Sequence, residues 1–160
     1  MVVVEQVLPI TALEARHGRY RRDTLTLTWE DRRKGHGRRT SDLGIEFAIS
    51  LPGGTVLKGG DCFLLDAAET VIVVREALEP VYVIRPKTPQ EWAYYAYQIG
   101  NRHQSVMIGE SELICVQNPA VRSLLDQLHV SYTIDTRPFT AAIATIGHSH
   151  ESGRAQPLIR

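Results

Sequence analysis

Apolar and polar residues alternate through the first half of the chain, and the period then changes. Leu25, Leu27 and Trp29 alternate with Thr24, Thr26 and Thr28; Ile45, Phe47 and Ile49 alternate with Glu46 and Ser50. A period of two sends successive side chains to opposite faces, as in a half-buried strand. Pro52-Gly53-Gly54 and Lys58-Gly59-Gly60-Asp61 interrupt the pattern as turns. Short apolar runs at 62–65 and 71–75 follow, separated by Asp66-Ala67-Ala68-Glu69. Short strands cut by glycine turns predict a small all-β module, sandwich- or barrel-like, over residues 1–78.

After a strand at 81–85 the apolar spacing becomes helical. Thr88 is a cap, Pro89 suits the first helical position, and Glu91 completes a capping box. Trp92, Tyr95, Ala96 and Ile99 then form one stripe at i, i+3, i+4 and i+7, and Gly100 is the expected stop. Strands at 105–108 and 112–116 flank the turn Gly109-Glu110. Asn118-Pro119 opens a second helix with Val121, Leu124, Leu125 and Leu128 inward, and 131–135 closes as a strand. The order βαββαβ predicts a ferredoxin-like module over 79–142, with the boundary near Leu78-Glu79-Pro80. The fold class is therefore α+β. Periodicity is lost from about Ile143, which predicts a flexible tail over 143–160.

Composition narrows the partners. Hydrophobic residues make up 43% of 160, enough for a core, and 18 basic residues balance 18 acidic ones. Zero formal charge argues against broad capture of nucleic acid or an anionic membrane. No apolar stretch approaches the ~20 residues of a membrane span, and the start lacks a basic n-region, so a cytoplasmic location is expected. Cys62 and Cys115 share no CxxC spacing and sit in apolar runs, which reads as two buried hydrophobes. The run Arg32-Arg33-Lys34-Gly35-His36-Gly37-Arg38-Arg39 reads as a solvated hairpin loop. Its functional alternative is contact with a protein partner, since no aromatics interleave for base stacking.

The chemistry concentrates in histidine. Gly100-Asn101-Arg102-His103 closes the aromatic helix, and the tail carries His148 and His150. A helix end places His103 rigidly, and the negative helix end favours an imidazolium there, so a plain surface histidine is the bland reading. Neutral imidazole otherwise suits nickel, copper and zinc. A site with so few ligands per chain is best completed across a two-fold axis that pairs two copies of His103. Asn101 and Arg102 are polar neighbours able to orient a ligand or a second chain. No serine elbow, phosphate loop or HExxH motif is present. His17, His36 and His129 lack a thiol or carboxylate at diagnostic spacing and read as structural or solvated.

Leu27-Thr28-Trp29 with the arginine-rich loop, the run from Gly53 to Asp61, the Gly100–His103 tetrapeptide and Gly147-His148-Ser149-His150 together resemble the UreE family of urease accessory proteins. The resemblance covers nearly the whole chain. It implies a non-enzymatic metallochaperone that binds nickel and delivers it, with other accessory proteins including a GTPase, to the urease apoprotein. It implies a peptide-binding-like first module and a homodimer formed through the ferredoxin-like module, with His103 of both chains as interfacial ligands. His148 and His150 would add tail ligands, and zinc or copper would compete. Many relatives end in a long histidine-rich tract, whereas this tail has two histidines, so few ions per dimer are expected. Two other readings stand beside this one: a non-metal adaptor whose β module binds an extended peptide, and a small metal-dependent hydrolase.

Overall fold

The structure is a computed structural model and describes residues 1–142. Leu25 and Leu27 point inward from β3 (Arg21–Leu27), as their alternation demands, and Phe47 and Ile49 do so from β5 (Glu46–Ser50). Antiparallel to β5 runs β4 (His36–Thr40), and parallel to it the two-residue β1 (Val3–Val4). A second sheet has the order β2 (Leu8–Pro9), β6 (Asp61–Leu65), β7 (Thr70–Glu76), β3. The two sheets enclose one apolar core in which Phe47 and Phe63 meet at 5.6 Å. The sequence pattern missed β1 and β2, each too short to show a period.

The alternation that ends on Trp29 overruns the strand. Thr28 caps a one-turn helix, α1 (Trp29–Arg32), by accepting the Asp31 N–H, so Trp29 opens a helix rather than closing β3. The arginine-rich run is only in part a solvated loop: Arg33, Lys34 and Arg38 are exposed. Arg32 is 1% exposed, and residues 36–40 form β4. Removing a guanidinium from water is costly without partners; its Nη1 and Nη2 find theirs in distant parts of the chain, while its buried Nε has none among the described residues.

The second half follows the expected order. β8 (Leu78–Ile84), α2 (Pro89–Asn101), β9 (Met107–Ile108), β10 (Leu113–Val116), α3 (Pro119–Gln127) and β11 (Tyr132–Pro138) build one antiparallel sheet, ordered β11-β8-β10-β9. That is the ferredoxin-like arrangement. Both helices cover one face, burying Ile99, Val121, Leu124 and Leu125 on Tyr82, Ile84, Leu113 and Cys115. The opposite face, through Val81, Val83 and Ile114, receives Trp29 and Phe139, with Val56 at the margin. Trp29 thus wedges the first module onto the second, and its N–H donates to Glu79 Oε1 at 2.8 Å. The chain has the two-part α+β architecture expected of it, a β module followed by an α/β module.

Candidate metal centre

Thr88 Oγ1 accepts the Glu91 N–H at 3.1 Å, and Pro89 sits at the helix start. The capping box is not closed in the usual way, because Glu91 Oε2 accepts from Lys87 N–H, one residue further back. The far end of α2 departs from expectation. Gly100 does not stop the helix. Asn101 is still helical, and the left-handed residue is His103, at φ +54°. The Gln104 N–H donates to Ile99 C=O (3.2 Å) and the His103 N–H to Gly100 C=O (2.9 Å), the paired bonds of a Schellman motif. The motif wants its left-handed residue just past the C-cap, and the last buried position of the stripe, Ile99, fixes where that falls. An L-residue there costs about 1–2 kcal/mol.

His103 is exposed, as are Asn101 and Arg102. Arg102 donates to Gln127 Oε1 at 3.3 Å, which ties the end of α2 to α3. The Gln104 side chain accepts from Asn118 Nδ2 (3.1 Å) and donates to Arg102 C=O (3.2 Å), so the loop carrying His103 is braced on both sides. His103 borders two clefts, of about 610 and 420 Å³. Trp29 and Arg33 of the first module line both. The Trp29 indole N–H reaches Ser105 Oγ at 3.4 Å, two residues beyond His103.

The larger cleft is also walled by Ala141 and Ala142, where the described chain ends. The Ala142 N–H donates to Val106 C=O at 2.8 Å. The segment bearing His148 and His150 therefore starts beside His103. Those two histidines lie outside the described residues. Among the described residues no three His, Cys, Asp or Glu side chains converge to hold an ion. Imidazole is the right donor for a borderline divalent cation, but one exposed ring holds an ion weakly, so ligands must come from elsewhere.

The thiols take no part. Cys62 and Cys115 are both buried, and burial raises both pKa values, Cys115 to about 12. A thiol that stays protonated is a poor ligand. His17 is buried, its Nδ1 accepting the Glu14 N–H, and His129 is exposed at φ +52°. Sequence reasoning missed Trp29 and Arg33, which line both clefts. The Thr28-x-x-Asp31 spacing, a helix-start signature, was the available signal.

Among the described residues no helix is long and apolar enough to cross a membrane. Two family models cover the chain: the N-terminal domain of the UreE urease accessory protein matches residues 4–76, and its C-terminal domain residues 79–157. A urease accessory protein UreE of Lysinibacillus sphaericus (strain C3-41) is 32% identical over 93% of this chain and its own full length. One from Chelativorans sp. (strain BNC1) is 35% identical over 82% of this chain and 86% of its own. One from Paraburkholderia xenovorans (strain LB400) is 35% identical over 83% of this chain but 59% of its own longer length. With both modules matched in order, and identity of this level spread along them, the chain belongs to the UreE family of urease accessory proteins, which assist urease and are not themselves the enzyme.

Proposed function

We propose that this protein is a nickel metallochaperone for urease assembly, and that a homodimer holds a single ion between two copies of His103. The observation that carries the reading is the placement of His103. It is an exposed imidazole on a stiff left-handed cap, next to the point where the His148/His150 segment begins. His148 follows Ala142 by six positions, a reach of up to roughly 20 Å. Either tail histidine can therefore approach His103 and complete the shell.

The outer face of α2 supports a second copy as the partner. Ala93, Tyr94, Tyr97, Gly100 and Asn101 share that face and are all exposed, Tyr97 at 65%. A methyl group at Gly100 would meet nothing within 4 Å among the described residues. Glycine there costs the helix about 1 kcal/mol relative to alanine. Close approach of another chain gives it a use. Asn101 and Arg102 then orient the two copies of His103 across the axis.

Tail ligands can leave one at a time, which allows transfer to the urease apoprotein with the help of a GTPase accessory partner, in the cytoplasm. An all-imidazole shell does not reject zinc or copper, so both compete. The test is a nickel titration with solution mass measured in parallel. The expected result is one tight ion per two chains, lost in His103→Ala with the dimer retained. An unchanged titration in His103→Ala refutes the assignment and favours the adaptor reading.

A further inference from the structure

Arg33 carries a charge that the reading so far leaves unused. It is the C-cap residue of α1. Its guanidinium carbon lies 5.8 Å from the centre of the buried Trp29 ring, a cation–π contact that keeps the side chain at the seam between the modules. Glu30 Oε1 lies 3.5 Å from its Nη1, but both side chains are more than half exposed, so that pair is loose and screened by solvent.

Arg33 and His103 line the same two clefts. The smaller one also carries Glu30 and Glu79, and Glu79 Oε1 already accepts the Trp29 N–H at 2.8 Å. Among the described residues no carboxylate lines the larger one, and Arg33 is its permanent charge. An ion on His103 therefore meets a fixed cation supplied by the first module. The smaller cleft, of about 420 Å³, is on the order of 10 Å across, and in water a guanidinium at that distance costs a divalent ion about fourfold in affinity.

We propose that Arg33 sets how tightly His103 holds a divalent cation, by charge alone. It does not ligate; it weakens the grip and so favours release to the next protein. This rests on the nickel reading above. The repulsion acts at all times and needs no conformational change. If charge is the cause, an ammonium serves as well as a guanidinium, and added salt removes the effect.

The test is nickel Kd in the full chain, read by chelator competition at about 10 mM and about 1 M salt, where the Debye length is about 30 Å and about 3 Å. Thermal unfolding is measured alongside. At low salt Arg33→Gln and Arg33→Met should each tighten binding at least about threefold, and Glu30→Gln should weaken it about twofold, while Arg33→Lys matches wild type. At high salt every difference should shrink below about 1.5-fold. Unchanged or weaker binding in Arg33→Gln and Arg33→Met overturns the inference. So does tightening that persists at high salt or that Arg33→Lys shares, since either marks a merely structural role. His103→Ala tells the two readings apart. If it abolishes tight binding while the neutral Arg33 variants keep the wild-type Kd, this inference alone fails. If it leaves Kd unchanged, the nickel reading fails and the inference falls with it. Should Arg33→Gln not fold, Arg33→Met, which keeps an apolar stem against Trp29, and Glu30→Gln decide the question by the same criteria.

Discussion

Helices α2 and α3 begin alike, on Thr88 and Asn118 caps with proline next, and end alike, on Schellman motifs with a histidine in the left-handed position. At the end of α3 the Val130 N–H donates to Leu125 C=O (3.0 Å) and the His129 N–H to Asp126 C=O (3.2 Å), repeating the bonds around His103. Their outer faces differ. Helix α2 exposes Tyr94, Tyr97 and Gly100, whereas α3 exposes Arg122, Ser123, Asp126 and Gln127. The Arg122–Asp126 pair at 3.1 Å is an ordinary solvated i, i+4 contact. Backbone geometry alone therefore does not single out His103 as the proposed ligand. His103 differs from His129 in what surrounds it: an aromatic face, two clefts reaching into the first module and the root of the tail.

The largest expected effect breaks the comparison at these faces. Tyr97→Glu should weaken dimerisation at least about 100-fold, roughly 2.7 kcal/mol, and remove the shared nickel stoichiometry. Ser123→Glu on α3 should leave both unchanged. Sedimentation at micromolar concentration separates the two. Equal effects would mean that the aromatic face of α2 is not where chains meet.

The next prediction separates geometry from chemistry. Glycine relieves left-handed strain, so His103→Gly and His129→Gly should each stabilise the fold by about 1 kcal/mol in urea unfolding. Only His103→Gly should weaken nickel binding, by about 100-fold if both copies of the imidazole ligate. Loss of nickel affinity in His129→Gly as well would erase the distinction drawn between the two helix ends.

The parts of this comparison were unequally legible in the sequence. Element order in the second module was readable because caps, prolines and apolar stripes all agree there, as they must where local and tertiary preferences coincide. The left-handed position was misplaced at Gly100, because glycine is the commoner residue there and the real position depends on Ile99 being the last buried residue. Trp29 was drawn into β3 because the period of two continues by coincidence through a capping threonine. Arg32 looked solvated because it sits in a basic run; its partners Glu76 and Phe139 lie 44 and 107 residues away. That Ala141 and Ala142 wall the cleft bordered by His103 is a tertiary fact that no local pattern encodes.

Both helices rest on one core, and Cys115 lies beneath it, fully buried beside Ile99 and Leu124. Burial moves its thiol from the ordinary 9.0 up to about 12. Below pH 9 folded and unfolded chains both hold the proton. Above it the unfolded chain releases a proton that the folded core keeps, so stability falls as pH rises, by about 1.4 kcal/mol per unit until roughly pH 12. Cys115→Val should flatten this slope between pH 9 and pH 10.5, measured as the difference from wild type in urea unfolding. Identical slopes would show that the thiol does not couple the shared core to pH.

The smallest effect tests whether the two helices communicate through Asn118. Its Oδ1 caps α3 by accepting the Val121 N–H (2.8 Å), while its Nδ2 donates to Gln104 in the loop that carries His103. Asn118→Asp keeps a good cap, since aspartate and asparagine are nearly equal there, but removes the donor to Gln104. Stability should change by no more than about 0.5 kcal/mol, while nickel affinity falls about threefold because the loop is less well held. Gln104→Ala should reproduce the nickel effect without touching the cap. If Asn118→Asp lowers affinity and Gln104→Ala does not, the change comes from new charge near the ion rather than from a loosened loop, and the brace between α3 and His103 has no functional weight.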